Sequence, residues 1–183
     1  GSYLIAPTVS NGYSALGLAR PSATMADRPP RSPSKHFFSS QFTCLDVFAG
    51  SGCVGISILK HIPFARVDFA EKEKKFVKQI KINTKLNGID PKRYRVIKSD
   101  VFSNIKGSYD YIFANPPYIA ESKKERVQKS VLEQEPHSAL FGGKDGLQYI
   151  KQFLRDAKKH LNPRGQPAGE AARIYMEFDS FQK

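Results

Sequence analysis

From Phe42 onward, short β-rich apolar runs alternate with segments of helical period, and this alternation narrows the fold more than any other feature of the chain. Such alternation is the mark of an α/β fold in which crossover helices join parallel strands. Strands are expected over residues 43–48, 65–70, 94–97, 109–114 and 173–178. The first ends in Ala49-Gly50-Ser51-Gly52 and passes into a helical pattern through Ile56, Leu59 and Lys60. The second closes at Glu71, followed by a helix to Leu86 that Asn87-Gly88 stops. A third helix is expected on the stripe Leu147, Ile150, Leu154, Ala157 and Leu161, with Asp145 or Gly146 near its start.

Residues 1–41 differ in kind. Ser, Pro, Ala and Gly dominate and no periodicity persists, so this stretch is expected to be a low-complexity tail or linker ahead of a core over residues 42–183. Gly1-Ser2 resembles the remnant of a purification tag. The 183 residues, 40% of them hydrophobic, suit one domain with a real core. No apolar run approaches the roughly 20 residues of a membrane span, and no secretion signal opens the chain, so a soluble, cytoplasmic protein is expected. Cys44 and Cys53 are expected as reduced core residues, because two cysteines without clustered histidines support neither a disulfide framework nor a metal site. The formal net charge of +12 suits an acidic partner without naming one. Lys74, Lys78, Lys81 and Lys85 share one face of the second helix, opposite Phe76, Val77 and Ile80, and are expected as a solvated face in preference to a nucleic-acid contact.

Ligands of open parallel sheets bind beyond the carboxyl ends of the strands, so the residues that close the first four strands carry the chemistry. Gly50 and Gly52 can bring backbone close to a ligand. Glu71 lies 21 residues beyond Gly50, at the end of the next strand, where a carboxylate can accept both hydroxyls of a ribose. Gly55 completes a Gly-x-Gly-x-x-Gly spacing, which brings a nicotinamide dinucleotide into consideration. The fourth strand exits instead through Asn115-Pro116-Pro117-Tyr118, which hydride transfer does not need. A planar NH2 is a poor nucleophile because its lone pair is delocalised. Two acceptors, the Asn115 side-chain oxygen and the Pro116 carbonyl, can hold such a nitrogen in line with an electrophilic methyl. The prolines stiffen the turn, and Tyr118 offers a flat face for stacking. Asp100, closing the third strand, suits an adenine amine. An ordinary proline-stopped strand remains the plain alternative.

Residues 46–55 (DVFAGSGCVG), Glu71, Asp100, 115–118 (NPPY) and 135–147 (EPHSALFGGKDGL) together resemble the HemK/PrmC family. These are S-adenosylmethionine-dependent enzymes that methylate a glutamine amide in peptide chain release factors. NPPY is shared with adenine-N6 DNA and RNA methyltransferases, whereas residues 135–147 are more particular to the glutamine enzymes. The resemblance covers about residues 43–182 and implies a Rossmann-like class I methyltransferase sheet that lacks its last two strands here. It implies S-adenosylmethionine held by Asp46, Gly50, Gly52, Glu71, Asp100 and Asn115. Asn115, Pro116, Pro117 and Tyr118 would position the acceptor, with Asn115, Pro116 and Tyr118 in the catalytic role. Glu135 is equally a substrate contact or a plain turn acid. A release factor is the implied protein partner, nucleic acid the alternative acceptor, and a folded fragment without turnover a third possibility. The chain departs from the family pattern at Phe48-Ala49, where Gly-Thr is usual, and in lacking a recognisable N-terminal helical domain. Residues 166–173 are also longer than the usual turn before the fifth strand. His61 is expected to close a helix, and His137 and His160 to lie on the surface.

Overall fold

A computed structural model describes residues 41–165 and 170–178; the expected N-terminal tail lies outside the described residues except for Gln41, as do residues 166–169 of the long segment before the last strand. Five strands, β1 (Phe42–Val47), β2 (Ala65–Glu71), β3 (Tyr94–Lys98), β4 (Tyr111–Ala114) and β5 (Arg173–Met176), form one sheet in the order β3-β2-β1-β4-β5. Every neighbouring pair is parallel. The apolar runs read as strands because a parallel sheet covered on both faces has no wet side to demand polar alternation. In β2 only Arg66 is exposed.

The helices divide between the faces. On one, α1 (Cys53–His61) and α2 (Lys74–Leu86) bring Ile56, Leu59 and Ile80 onto Cys44, Val67 and Phe69. On the other, α5 (Gln148–Ala157) brings Phe153 and Ala157 onto Leu45, Val47, Ile112 and Ala114. Two short helices, α3 (Lys129–Gln134) and α4 (His137–Leu140), lie in the connection from β4 to α5. The strand order reverses at β1, which has β2 on one side and β4 on the other. At such a switch point, ligands of open parallel sheets bind in the crevice beyond the carboxyl ends of the strands, here β1 and β4.

Several side chains correct the sequence reading. Cys44 is buried, but Cys53, the first residue of α1, is exposed rather than core. On α5 the core position belongs to Phe153, while Leu154 is 56% exposed. One residue turns a helix by about 100°, so only one of two adjacent apolar side chains can face the sheet. The fourth strand's ladder starts at Tyr111; Tyr109 instead makes an isolated bridge with Leu161. The last strand stops at Met176, and Phe178 beyond it is exposed. His61 closes α1 as expected, and His137 is exposed. His160 is half-buried, its ring stacked on Phe102 at a centroid distance of 4.6 Å. The α2 lysines are exposed, as their spacing predicts.

Candidate active site

Gly50, beyond the end of β1, has φ 54°, and a Cβ placed on it would meet only the Phe48 carbonyl oxygen, 4.0 Å away. The space in front of this residue is therefore open. Its N–H donates to Glu71 Oε2 at 2.8 Å, and the Glu73 N–H donates to Glu71 Oε1 at the same distance. A carboxylate offers about four acceptor positions, so these bonds leave acceptor capacity on Glu71 for a ligand hydroxyl. Burial pushes the Glu71 carboxyl above its usual value, against the pull of the Glu73, Gly50 and Lys72 N–H groups.

Gly52 serves a different purpose. A Cβ there would stand 3.3 Å from Ile56, Ile80 and Phe69, so the position faces the core beneath the loop, with φ 83°. Gly55 is tighter still, 2.3 Å from the Phe69 ring, so α1 lies directly on β2 only because this residue has no side chain. The buried Asp46 accepts the Gly55 N–H on Oδ2 at 2.9 Å and ties β1 to the first turn of α1. Its burial raises the carboxyl to about 7.

A residue that sequence reasoning missed supports the same loop. Asn83, on the buried face of α2, donates from Nδ2 to the Ser51 carbonyl at 2.9 Å and accepts from Gln79 Nε2. Its signal was a polar residue on the core-facing side of a helix, since buried amides require partners.

The ends of β3 and β4 complete the crevice. Asp100 follows β3 and forms an ion pair with Lys72 through Oδ2 at 2.9 Å. Asn115 stands exposed directly beyond β4, while Pro116 and Pro117 are buried under it. Tyr118 is half-buried, with its hydroxyl 3.4 Å from Glu177 Oε1. Phe48 takes a positive φ of 59° and sets its ring edge-on to Tyr149 of α5 at 5.9 Å.

The structure brings residues 140–143 against the NPPY turn. The Ile119 N–H donates to the Leu140 carbonyl, and the Gly142 N–H donates back to the Ile119 carbonyl at 2.9 Å. Glu121 donates to Gly143, and Gln148 to Gly142. Glu135 is exposed at the C-terminal cap of α3, where its N–H donates to the Val131 carbonyl. The loop over β1, Glu71, Asp100 and Asn115 thus line the carboxyl edge of one sheet.

Comparison with known proteins agrees with this arrangement. The family model described as "Methyltransferase small domain" matches residues 34–144. The chain is 37% identical over 121 residues to the ribosomal protein uL3 glutamine methyltransferase of Neisseria meningitidis serogroup A, covering 66% of this chain and 39% of that protein. It is 38% identical over 122 residues to the release factor glutamine methyltransferase of Borreliella burgdorferi, covering 66% of this chain and 41% of that protein. The chain therefore spans about two fifths of the length of these curated relatives. In fold it is similar to the ribosomal protein L11 methylase of Lactobacillus delbrueckii subsp. bulgaricus, with a TM-score of 0.51 at 19% identity, over 81% of this chain and 57% of that one. No helix among the described residues is long and apolar enough to cross a membrane. With a parallel sheet of class I methyltransferase type and a family match over more than half its length, the chain belongs to the methyltransferase small domain family.

Proposed function

We propose that residues 42–183 act as the catalytic core of an enzyme that methylates the side-chain amide nitrogen of a protein glutamine, with a peptide chain release factor as acceptor. The observation that carries this reading is the exit of β4, where an exposed Asn115 stands on two buried prolines beside the hydrogen-bonded 140–143 segment. S-adenosylmethionine would supply the electrophilic methyl, whose bond to sulfur breaks as the bond to nitrogen forms. The crevice suits that cofactor: Gly50 leaves room, and Glu71 keeps acceptor capacity for a ribose hydroxyl. Asp100 uses Oδ2 for Lys72, which leaves Oδ1 to accept from an adenine amine. Asp46 and Gly52 hold the shape of the loop through Gly55 and the α1 core.

On the acceptor side, the Asn115 oxygen and the Pro116 carbonyl would each take one proton of the incoming amide. Two such acceptors orient the nitrogen and stabilise the positive charge that grows on it. Pro117 stiffens the turn, Tyr118 lays its ring along the planar amide, and Glu135 meets the flanking peptide. Since Asn115 is exposed, water can take the proton that the nitrogen sheds. Proximity and orientation of this kind are worth on the order of 7 to 11 kcal/mol in intramolecular models. A release-factor substrate would place the reaction in the cytoplasm. The 37% identity to a uL3 enzyme favours that ribosomal protein as the second acceptor to test.

The test offers the 183-residue chain labelled cofactor with a release factor, uL3 and an adenine-containing DNA in parallel. Label on the release factor, lost when its acceptor glutamine is replaced by alanine, supports the proposal. Label on uL3 alone moves the acceptor to the ribosome, and label on DNA transfers the NPPY turn to adenine chemistry. Cofactor binding without label on any acceptor marks a folded core without turnover.

A further inference from the structure

The outward face of α2 is unusual in its charge. The helix carries Lys74, Lys75, Lys78, Lys81 and Lys85 and no acidic residue, and all five lysines are exposed. Among the described residues none of them pairs with a carboxylate; Lys75 instead lies over the Phe76 ring at 5.0 Å. The helix on the opposite face behaves otherwise. Along α5 and the turn after it, Lys151, Arg155 and Lys159 each reach an aspartate within 3.0 Å. Like charges three and four residues apart destabilise a helix by a few tenths of a kcal/mol per pair. A sequence that only needed a solvated face could relieve this with glutamates, and α2 does not.

The charge continues around the base of the helix. Residues 60–98 hold twelve Lys and Arg against four Asp and Glu. Lys60 is tied to Asn87 Oδ1, just past the end of α2, and Arg66 to the Lys92 carbonyl. The second bond sets Arg66 beside the Lys92 backbone, and the first sets Lys60 beside the C-terminal end of the lysine stripe. Its other end, Lys74, begins three residues after Glu71 at the crevice.

We infer that the lysine face of α2 is a docking surface for a nucleic-acid phosphate backbone, separate from the NPPY turn and independent of which acceptor is methylated. Regularly spaced, unpaired ammonium groups on a rigid helix fit a chain of phosphodiesters and carry no base-reading group, so binding is electrostatic and tolerant of sequence. It would hold the protein on a nucleic-acid surface while the carboxyl edge of the sheet stays free.

The test is fluorescence anisotropy with labelled single-stranded RNA and the DNA of the same sequence, from 50 to 200 mM salt. The expected result is binding whose log affinity falls with log salt at a slope near −0.7 for each lysine engaged, about −3 to −4 for this face. Changing Lys74, Lys78, Lys81 and Lys85 to Gln should weaken binding by roughly tenfold to a hundredfold at fixed salt and flatten the slope. Changing Lys151 and Lys159 to Gln should do neither. RNA preferred over DNA identifies the source as RNA, and equal binding identifies the backbone alone. In the unaltered chain, bound RNA should protect the α2 lysines from acetylation, a readout that does not depend on the variant folding. Undiminished affinity in the fourfold variant, unprotected α2 lysines, or equal binding of poly-glutamate would overturn the inference, the last in favour of an acidic protein partner.

Discussion

A Cβ built on Gly142 would stand 2.4 Å from the carbonyl oxygen of Pro117 and 2.6 Å from that of Gly146, so residues 25 apart in sequence meet backbone to backbone at the NPPY turn. Only glycine permits the approach. The Gly142–Ile119 and Ile119–Leu140 hydrogen bonds then hold the two segments in register. Gly142→Ala should therefore displace the turn, costing about 1–3 kcal/mol as an overpacked contact does. The expected pattern is a lower urea midpoint and slower methyl transfer with cofactor affinity kept. Unchanged transfer would detach the 140–143 segment from acceptor positioning.

Asn115 touches the acceptor in the proposed mechanism, and it is exposed beyond the end of β4. Asn115→Ala should leave cofactor titrations nearly unaltered and reduce transfer on the order of 10² to 10³, as the loss of a preorganised polar group does. Single-turnover rates beside calorimetric affinity separate the two effects. A drop in affinity with an intact rate would reassign Asn115 to the cofactor.

Glu71 organises the loop through the Gly50 and Glu73 N–H groups, and in the proposed mechanism it also accepts a ribose hydroxyl. Glu71→Ala should weaken cofactor binding by about 1–3 kcal/mol, the usual loss for a hydrogen bond to a charged group. A cofactor analogue without ribose hydroxyls should bind wild type and variant more nearly alike. Equal loss for both ligands would leave Glu71 with the loop-organising role alone.

Asp46 predicts a pH dependence. Burial raises its carboxyl from 3.8 to about 7, so between those values the folded chain holds a proton that the unfolded chain has lost. Stability must then fall as pH rises through this window, and Glu71, raised for the same reason, adds in the same sense. Asp46→Asn keeps an oxygen for the Gly55 N–H and removes the titration. Its unfolding free energy should decline less than that of the parent chain between pH 5 and pH 8. Parallel declines in urea titrations at the two pH values would show that Asp46 is not the group responsible.

Pattern alone reached much of the crevice. The 21-residue interval from Gly50 to Glu71 spans one βαβ half-unit, and the two residues are joined by a hydrogen bond at the switch point. Asp100 and Asn115 likewise fall at strand ends because each apolar run stops where the chain leaves the sheet. Faces were harder to read. Phe153 and Leu154 are equally apolar, and Cys53 sits beside a buried glycine, so composition could not say which of them points inward.

The local sequence determined that this chain would form parallel strands ending in a glycine loop, an acid and an Asn-Pro-Pro turn, because strand length, helical period and proline stops are set by neighbouring residues. Only the tertiary structure decided that Asn83 would hold the Ser51 carbonyl, that Gly52 would face the core and that Gly142 would lie against Pro117. Those contacts join residues far apart in the chain, and they exist only once the sheet and its covering helices have brought distant backbone within hydrogen-bonding range.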